Sequence, residues 1–340
     1  MSMRAMILAA GLGTRLRPIT YEMPKPMVPV LNRPVMEHII ELLARHGFTE
    51  VNANLHWFPE LIRDRFGDGS RLGIELRYSE EEALLGTAGG VRKAADFLGE
   101  DFLVISGDAL TDIDLAAMRD FHRSHGGIAT LATKRVADTS QFGVVITDTD
   151  GRVQGFQEKP DPAEALSDLA NCGVYMFRAE VFDFFPAEGE RSKAAGPDDP
   201  PGFADWAMDV LPALLDGDVP FYSHEVQAYW NDIGNLEELW RSNMDAVSGE
   251  VAIDPGAPEV AEGVRAGEET DLGGTEVEPP ALFGPRIEFG VDVRIDGPAV
   301  IGDGARIGAG SRMKESVMLP GTEVGPASVL AGAVVAKRSD

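Results

Sequence analysis

The sequence predicts an α/β protein with a Rossmann-like, mostly parallel sheet flanked by helices, followed by a short parallel β-helix. Two periodicities carry that expectation. Through residues 1–130, apolar runs of strand length alternate with helical stretches, as in a parallel sheet covered on both faces. Near the C-terminus, Ile295, Ile301, Ile307, Met313 and Leu319 recur every six residues, the repeat of stacked coils that turn aliphatic side chains inward. Between them, residues 250–280 are rich in acid, glycine and proline and show no clear period. The chain therefore divides into an α/β domain at 1–248, an acidic linker at 249–285 and a β-helix at 286–340.

In chain order, Met3 to Ala9 reads as a strand that breaks at Gly11 and Gly13. Pro34 to Gly47 is a helix with a stripe of Val35, Met36, Ile39, Ile40 and Leu43, proline at its start and glycine at its end. Strands follow at 51–55 and 74–79, separated by a short helix from Pro59 to Phe66. A glycine turn at 85–90 (LGTAGG) precedes a helix from Val91 to Phe97. The strand 102–106 ends in Gly107-Asp108, and a helix spans 113–125. Beyond Gly143 the strands 144–147, 153–157 and 173–177 have short connections, which predicts antiparallel pairing. Residues 186–203 read as an exposed Pro/Gly/charged loop, 205–215 as a helix, and Asn235 as the cap of a helix to Val247. The hexad register slips by one residue near Val324-Gly325. So few coils bury little alone and are expected to pack on the first domain or on another subunit.

Composition excludes several function classes. With 340 residues and 44% hydrophobic content the chain has ample material for a core. No apolar run is long enough to span a bilayer, and the short apolar start runs straight into the glycine loop, so neither membrane span nor secretory signal is expected. Cys172 is the single cysteine, which excludes an intrachain disulfide and fits a reducing cytoplasm. A net charge of −26 argues against non-specific binding to nucleic acid or anionic membrane. Against that background residues 1–33 carry Arg4, Arg15, Arg17, Lys25 and Arg33 with only Glu22 opposing them. A local cationic patch around a glycine loop is an anion site, because glycine lets backbone N–H groups approach a polyphosphate.

Further chemistry lies at strand ends. Asp108 and Asp232 each close a strand beside a glycine, and two such carboxylates suit Mg2+, although either alone also reads as a turn residue. Glu158-Lys159 sets an acid beside a base. On a strand the two would point to opposite faces, one toward a hydroxyl and one toward a phosphate.

Together the motifs GLGTRLRPIT, PKP, LGTAGGV, SGDALTDIDL, FQEKP, NCGVYMF and YWNDIG, in this order, resemble the sugar-1-phosphate nucleotidylyltransferases, or nucleotide-sugar pyrophosphorylases. The likeness spans about residues 3–248, and within the family it is to mannose-1-phosphate guanylyltransferase-type and cyanobacterial UDP-glucose pyrophosphorylase-type chains. The hexad tail also looks like the left-handed β-helix that many members carry. The resemblance implies in-line attack of a sugar 1-phosphate on the α-phosphate of a nucleoside triphosphate. The products are an NDP-sugar and pyrophosphate. GTP with mannose 1-phosphate is the first choice, UTP with glucose 1-phosphate the second, with dTTP or ATP as further options.

It also implies roles by position. Leu8, Ala10, Gly11, Gly13 and Thr14 would cradle the nucleotide, and Gly86, Thr87 and Gly89 its base. Arg15 would hold the leaving pyrophosphate and Lys25 would neutralise phosphate charge. Asp108 and Asp232 would hold Mg2+, with Asp108 also catalytic. Gly143, Glu158 and Asn171 would bind sugar hydroxyls and Lys159 the sugar's phosphate. A cytoplasmic homo-oligomer is expected. The 186–203 loop departs from the family, where a tighter turn is expected.

Rival classes fare worse. Leu16 stands where a dinucleotide-binding G-x-G-x-x-G needs its last glycine, and no P-loop sequence occurs. A silent regulatory paralogue would be favoured by loss of Arg15, Lys25 or an aspartate, and all are present. A second, acyltransferase site in the tail lacks a histidine. His122 and His125 read as surface residues on one helical face.

Overall fold

A computed structural model describes residues 3–187 and 190–337. The last residues of the expected β-helix (338–340) and part of the 186–203 loop (188–189) lie outside the described residues. By contacts the chain forms two units. One comprises 1–11, 39–109 and 113–230; the other comprises 12–38, 110–112 and 231–340.

The first unit is built on a nine-stranded sheet. Its strands are β1 (Arg4–Leu8), β2 (Glu50–Leu55), β3 (Glu75–Glu80), β4 (Asp101–Ser106), β5 (Ala129–Arg135), β6 (Gly143–Thr147), β7 (Val153–Glu158), β8 (Leu169–Arg178) and β9 (Tyr222–Glu225). The order is β7-β6-β8-β4-β1-β2-β3, with β5 beside β8 and β9 beside β5. Strand β1 pairs in parallel with β2 and β4, and β2 with β3. Only β7 and β8 run against the rest, so the sheet is mixed and mostly parallel as expected. The central strands are buried on both faces: Ala5, Met6, Ile7, Phe102, Leu103, Val104 and Ile105 are all fully buried.

Helices α1 (Val35–Arg45), α2 (Pro59–Phe66), α3 (Gly86–Lys93), α4 (Ala95–Leu98), α5 (Leu115–Ser124) and α6 (Leu211–Asp216) supply the crossovers. The α1 stripe read from the sequence is buried throughout. Asp114 caps α5 by accepting from the Ala116 and Ala117 N–H groups at 3.0 and 2.9 Å. The expected 205–215 helix is a π-turn at Trp206–Val210 followed by α6. Helix α3 begins at Gly86 rather than Val91, so the second glycine turn is its first turn.

His122 is not a surface residue. It is fully buried, its Nδ1 lies 2.8 Å from the Thr130 hydroxyl, and His125 Nε2 lies 2.7 Å from the same oxygen. His125 is half-buried against Tyr222. The face that carries His122 meets Thr130 of β5, while His125 and Phe121 meet Tyr222 and His224 of β9, which helical spacing alone does not reveal.

In the second unit, α7 (Leu236–Val247) is capped as expected, Asn235 accepting from Glu238 N–H at 3.0 Å. The C-terminal strands pair in parallel in three sheets. Ala281 pairs with Ala299 and Arg294 with Arg312, a coil of 18 residues made of three six-residue sides. After that Val300 pairs with Val317 and Arg312 with Val329, one residue short. The slip therefore lies between Met313 and Met318, at Glu315 with its positive φ of 47°, and not near Val324. Met318 takes the inward place expected of Leu319, and Val324, Leu330 and Val335 continue the inward row.

The stretch 249–285, expected as a linker, carries the strands Glu259–Ala261, Val264–Ala266, Glu276–Glu278 and Ala281–Phe283. The last three pair with later coils, so the stack begins before residue 286. Its acids hide the period because they sit on outward positions. Glu276 and Glu278 flank the inward Val277 and reach Arg294 at 3.1 and 2.6 Å.

The stack is joined to residues 12–38 by hydrogen bonds. Asn32 Nδ2 donates to Ile301 O at 2.8 Å, and the Trp240 indole N–H of α7 donates to Glu315 O at 2.6 Å. Asn243, fully buried, accepts from Leu31 N–H at 3.0 Å and donates to Leu239 O and Pro29 O at 3.0 and 3.3 Å.

Two stability predictions follow. Asn243→Leu leaves the buried Leu31 N–H without its acceptor and should cost about 2–3 kcal/mol, read as a lower urea midpoint at unchanged m. Burial pushes the His122 pKa down from 6.5 to about 3, with His125, Arg178 and Arg123 adding to the shift. The unfolded chain therefore takes up this proton first. The corresponding stability is complete above pH 6.5 and is lost as pH falls toward 3, by at most about 1.4 kcal/mol per pH unit. His122→Gln should flatten the stability–pH slope between 6.5 and 4; an unchanged slope would refute the assignment.

Candidate active site

In the first unit the parallel strands deliver their carboxyl ends to one edge. Leu8 at the end of β1 lies between Asn54 of β2 and Ser106 of β4 in register. Ligands in open α/β sheets bind outside such ends. Gly107 N–H donates to Leu8 O at 2.9 Å, and a Cβ on Gly107 would lie 2.6 Å from that oxygen, so only glycine closes this turn. Asp108 follows, and its Oδ1 accepts from the Ser106 hydroxyl at 2.5 Å. Ala9, Ala10 and Gly11 continue the loop from β1.

The two glycine turns of this unit are linked by residues that sequence reading passed over. Ala9 N–H donates to Asn54 Oδ1 at 2.8 Å, Asn54 Nδ2 donates to Glu81 Oε1 at 2.7 Å, and Leu85 N–H donates to Glu81 Oε2 at 2.9 Å. Asn54 and Glu81 are 3% exposed, so this is a buried polar bridge with both carboxylate oxygens satisfied. Gly90 passes beneath it, where a Cβ would lie 2.5 Å from Glu81 Oε1. The available signal was a buried-strand Asn and an acid four residues before LGTAGG.

The second glycine turn is less open than expected. Ala88 and Gly89 N–H both donate to Ala204 O, at 2.9 and 3.1 Å, so these two donors are used by the chain itself. The Thr87 hydroxyl donates to Asp205 Oδ2 at 2.8 Å and accepts from Trp206 N–H at 3.1 Å.

The expected sugar-side residues gather on neighbouring strands. Gly143 pairs with Glu158 in register, and a Cβ on Gly143 would lie 3.0 Å from Glu158 Oε2. Lys159 does not point to the opposite face from Glu158. It leaves the strand with φ 46°, and its Nζ lies 3.2 Å from Glu158 Oε1. Both are half exposed, and acid and base form one polar pair. Asn171 lies within β8 rather than before it. Its Nδ2 donates to Tyr175 Oη at 2.9 Å and its Oδ1 accepts from Gly173 N–H at 3.1 Å, leaving one amide hydrogen and further lone pairs. Cys172 is a packed side chain, 1% exposed, with burial raising its thiol pKa. Trp230 donates its indole N–H to Cys172 O at 2.9 Å and packs on Phe142.

The second unit holds the cations. Gly13 has φ 62°, and a Cβ there would lie 3.0 Å from Lys25 Cβ. That glycine lets the Lys25 stem pass. Lys25 Nζ then lies 3.3 Å from Asp232 Oδ1, with the lysine side chain 12% and the aspartate 35% exposed. Thr14, Arg15 and Leu16 form a short 3-10 turn anchored by the buried Leu16. Arg15 is exposed, with its guanidinium over Gly234, whose Cβ position is 3.2 Å from Arg15 Nη2. Arg15, Lys25 and Asp232, remote in sequence, are thus brought into one cluster of two cations and a carboxylate. Among the described residues no group of three or more His, Cys, Asp or Glu is arranged to hold a metal ion alone. Carboxylates such as Asp108 and Asp232 are hard oxygen donors that suit a divalent ion completed by phosphate oxygens and water.

Known proteins resemble this chain along most of its length. The nucleotidyl transferase family pattern matches residues 4–249. A UTP–glucose-1-phosphate uridylyltransferase of Synechocystis is 38% identical, covering 98% of this chain and 87% of the relative. A mannose-1-phosphate guanylyltransferase of Mycobacterium tuberculosis is also 38% identical, covering 90% of this chain and 81% of the relative. A Bacillus anthracis structure named for glucose-1-phosphate thymidylyl transfer superposes with a TM-score of 0.63 over 74% of this chain and 97% of its own; at 24% identity it speaks for the fold alone. With strand-end glycine turns, clustered cations and these relatives in agreement, the chain belongs to the nucleotidyl transferase family, among the sugar-1-phosphate nucleotidylyltransferases.

Proposed function

We propose that the protein joins a nucleoside triphosphate to a sugar 1-phosphate, giving an NDP-sugar and pyrophosphate, with GTP and mannose 1-phosphate as the pair. The observation that carries the reading is the Lys25–Asp232 pair beside Arg15: a fixed cation and a carboxylate at 3.3 Å, suited to a phosphate and its counter-ion. A sugar phosphate is already ionised at neutral pH and needs no general base. The work left to the protein is positioning and neutralisation of charge.

In this reading Leu8, Ala10, Gly11, Gly13 and Thr14 cradle the nucleotide, and Gly86, Thr87 and Gly89 shape the base site. Arg15 holds the departing pyrophosphate and Lys25 the charge that grows on it. Gly143, Glu158 and Asn171 hold sugar hydroxyls, and Lys159 turns from Glu158 to the sugar's phosphate. Asp108 and Asp232 serve as Mg2+ ligands, the ion neutralising phosphate charge when bound. The C-terminal stack reads as a left-handed parallel β-helix, supported by its 18-residue coils and inward hexads. A second substrate pair, UTP with glucose 1-phosphate, is favoured by the Synechocystis relative, whose similarity extends through the C-terminal stack.

Pyrophosphate release assayed over four NTPs with mannose and glucose 1-phosphates should show one preferred pair; no release with any pair would remove the reading. Asp108→Asn and Asp232→Asn should each cut Mg2+-dependent kcat by about a hundred-fold or more in a folded protein. Substantial residual turnover would refute the metal role. Lys25→Ala should lower kcat more than it raises KM, because leaving-group charge grows in the transition state. An effect on KM alone would count against that role.

A further inference from the structure

The segment 190–205, which the reaction described above does not use, is built into the second glycine turn. Helix α3 has no side-chain cap. Ala204 takes that place, accepting from Ala88 and Gly89 N–H and donating its own N–H to Leu85 O at 2.9 Å. The turn's glycines are shaped to this segment: a Cβ on Gly86 would lie 2.4 Å from Ala204 O, and one on Gly89 would lie 2.7 Å from Gly202 O.

The segment is itself pinned at both ends. Asp209, 6% exposed, accepts from the Ser192 hydroxyl at 2.5 Å, Lys193 N–H at 2.8 Å and Asp205 N–H at 2.9 Å. Arg92, on α3, spans Pro186 O at 3.1 Å and Gly202 O at 2.9 Å with its two terminal nitrogens. Asp205 joins the two systems. Its Oδ1 caps the π-turn by accepting from Ala207 and Met208 N–H, and its Oδ2 accepts from the Thr87 hydroxyl. Trp206, 2% exposed and stacked on Phe177 at 4.4 Å, roots the joint in the core.

We infer that segment 190–205 is the brace that sets the nucleotide-base turn, with Asp205 acting through Thr87 as a positioning residue for base selection. The inference rests on the reading of 85–89 as the base site. It differs from a merely structural role in which substrate responds: the brace bonds to the base turn, and among the described residues no hydrogen bond joins it to Gly143, Glu158, Lys159 or Asn171. Loosening it should weaken nucleotide binding and blur discrimination between bases while leaving the sugar side alone.

The test uses two variants of the full chain. Asp205→Ser keeps a helix-capping oxygen but withdraws it from Thr87. Arg92→Lys keeps the charge but cannot span both carbonyls. Pyrophosphate release is measured with GTP and with UTP, each against mannose and glucose 1-phosphates, alongside thermal unfolding. The expected result is a rise of about ten-fold in KM for the preferred nucleotide, equivalent to about 1.4 kcal/mol, and a smaller GTP/UTP preference. The sugar 1-phosphate KM and kcat should stay within about two-fold. Folded variants with unchanged nucleotide KM and preference, or with equal rises in both KM values, would overturn the inference. If Asp205→Ser does not fold, Arg92→Lys decides on the same readouts. A wild-type chain that turns over normally beside indifferent variants refutes the brace alone, whereas a wild-type chain inactive with every NTP refutes the base-site reading and the brace with it.

Discussion

The first unit depends on keeping two glycine turns at a fixed separation. A glycine turn carries few side chains of its own to hold it in place, so its position has to be set by groups from elsewhere in the chain. The Asn54–Glu81 bridge supplies the constraint. It reaches the first turn at Ala9 N–H and the second at Leu85 N–H through side chains that are almost wholly buried. A buried carboxylate is tolerable only when its oxygens are satisfied, and here each accepts a hydrogen bond. The bridge also explains Gly90, whose missing side chain makes room for it.

What the sequence revealed and what it concealed divide along the range of the interactions involved. The parallel strands, α1, the Asn235 cap and the hexads depend on local period and local capping, and all were legible. The features that were misread depend on distant partners. α3 starts at Gly86 because Ala204, over a hundred residues away, caps it. His122 is buried because its helix face lies on β5, where the Thr130 hydroxyl meets the ring, although that face looks polar in isolation. Lys159 pairs with Glu158 because the chain turns through a positive φ that a β-pattern does not predict.

The acidic stretch before residue 286 shows a different failure of pattern reading. Its charge comes from outward positions, and these mask inward residues such as Val277 and Phe283 that already keep the six-residue period. Charge density was read as a linker, whereas alternation about Val277 was the better signal. The one-residue slip belongs to the same lesson. An aliphatic residue at 319 fits the sequence period, yet Met318 is the inward one, because the stack shortens at a tight turn around Glu315.

The second unit has a consequence for how the cations are held. Arg15 and Lys25 are grouped with the C-terminal stack and not with the sheet that carries the first glycine turn. Lys25 lies a few residues before the hairpin Pro29–Val30 and Arg33–Pro34. That hairpin is fastened by Asn243 at Leu31 and Pro29, and by Asn32 to a coil of the stack at Ile301. Helix α7, which supplies Asn243, is fastened to the same stack through Trp240 and Glu315. The stack is therefore a support for the segment that presents Lys25 to Asp232, in addition to any part it takes in assembly. A disturbance of the coils at Ile301 or Glu315 has a hydrogen-bonded route to the lysine, and it need not pass through the parallel sheet.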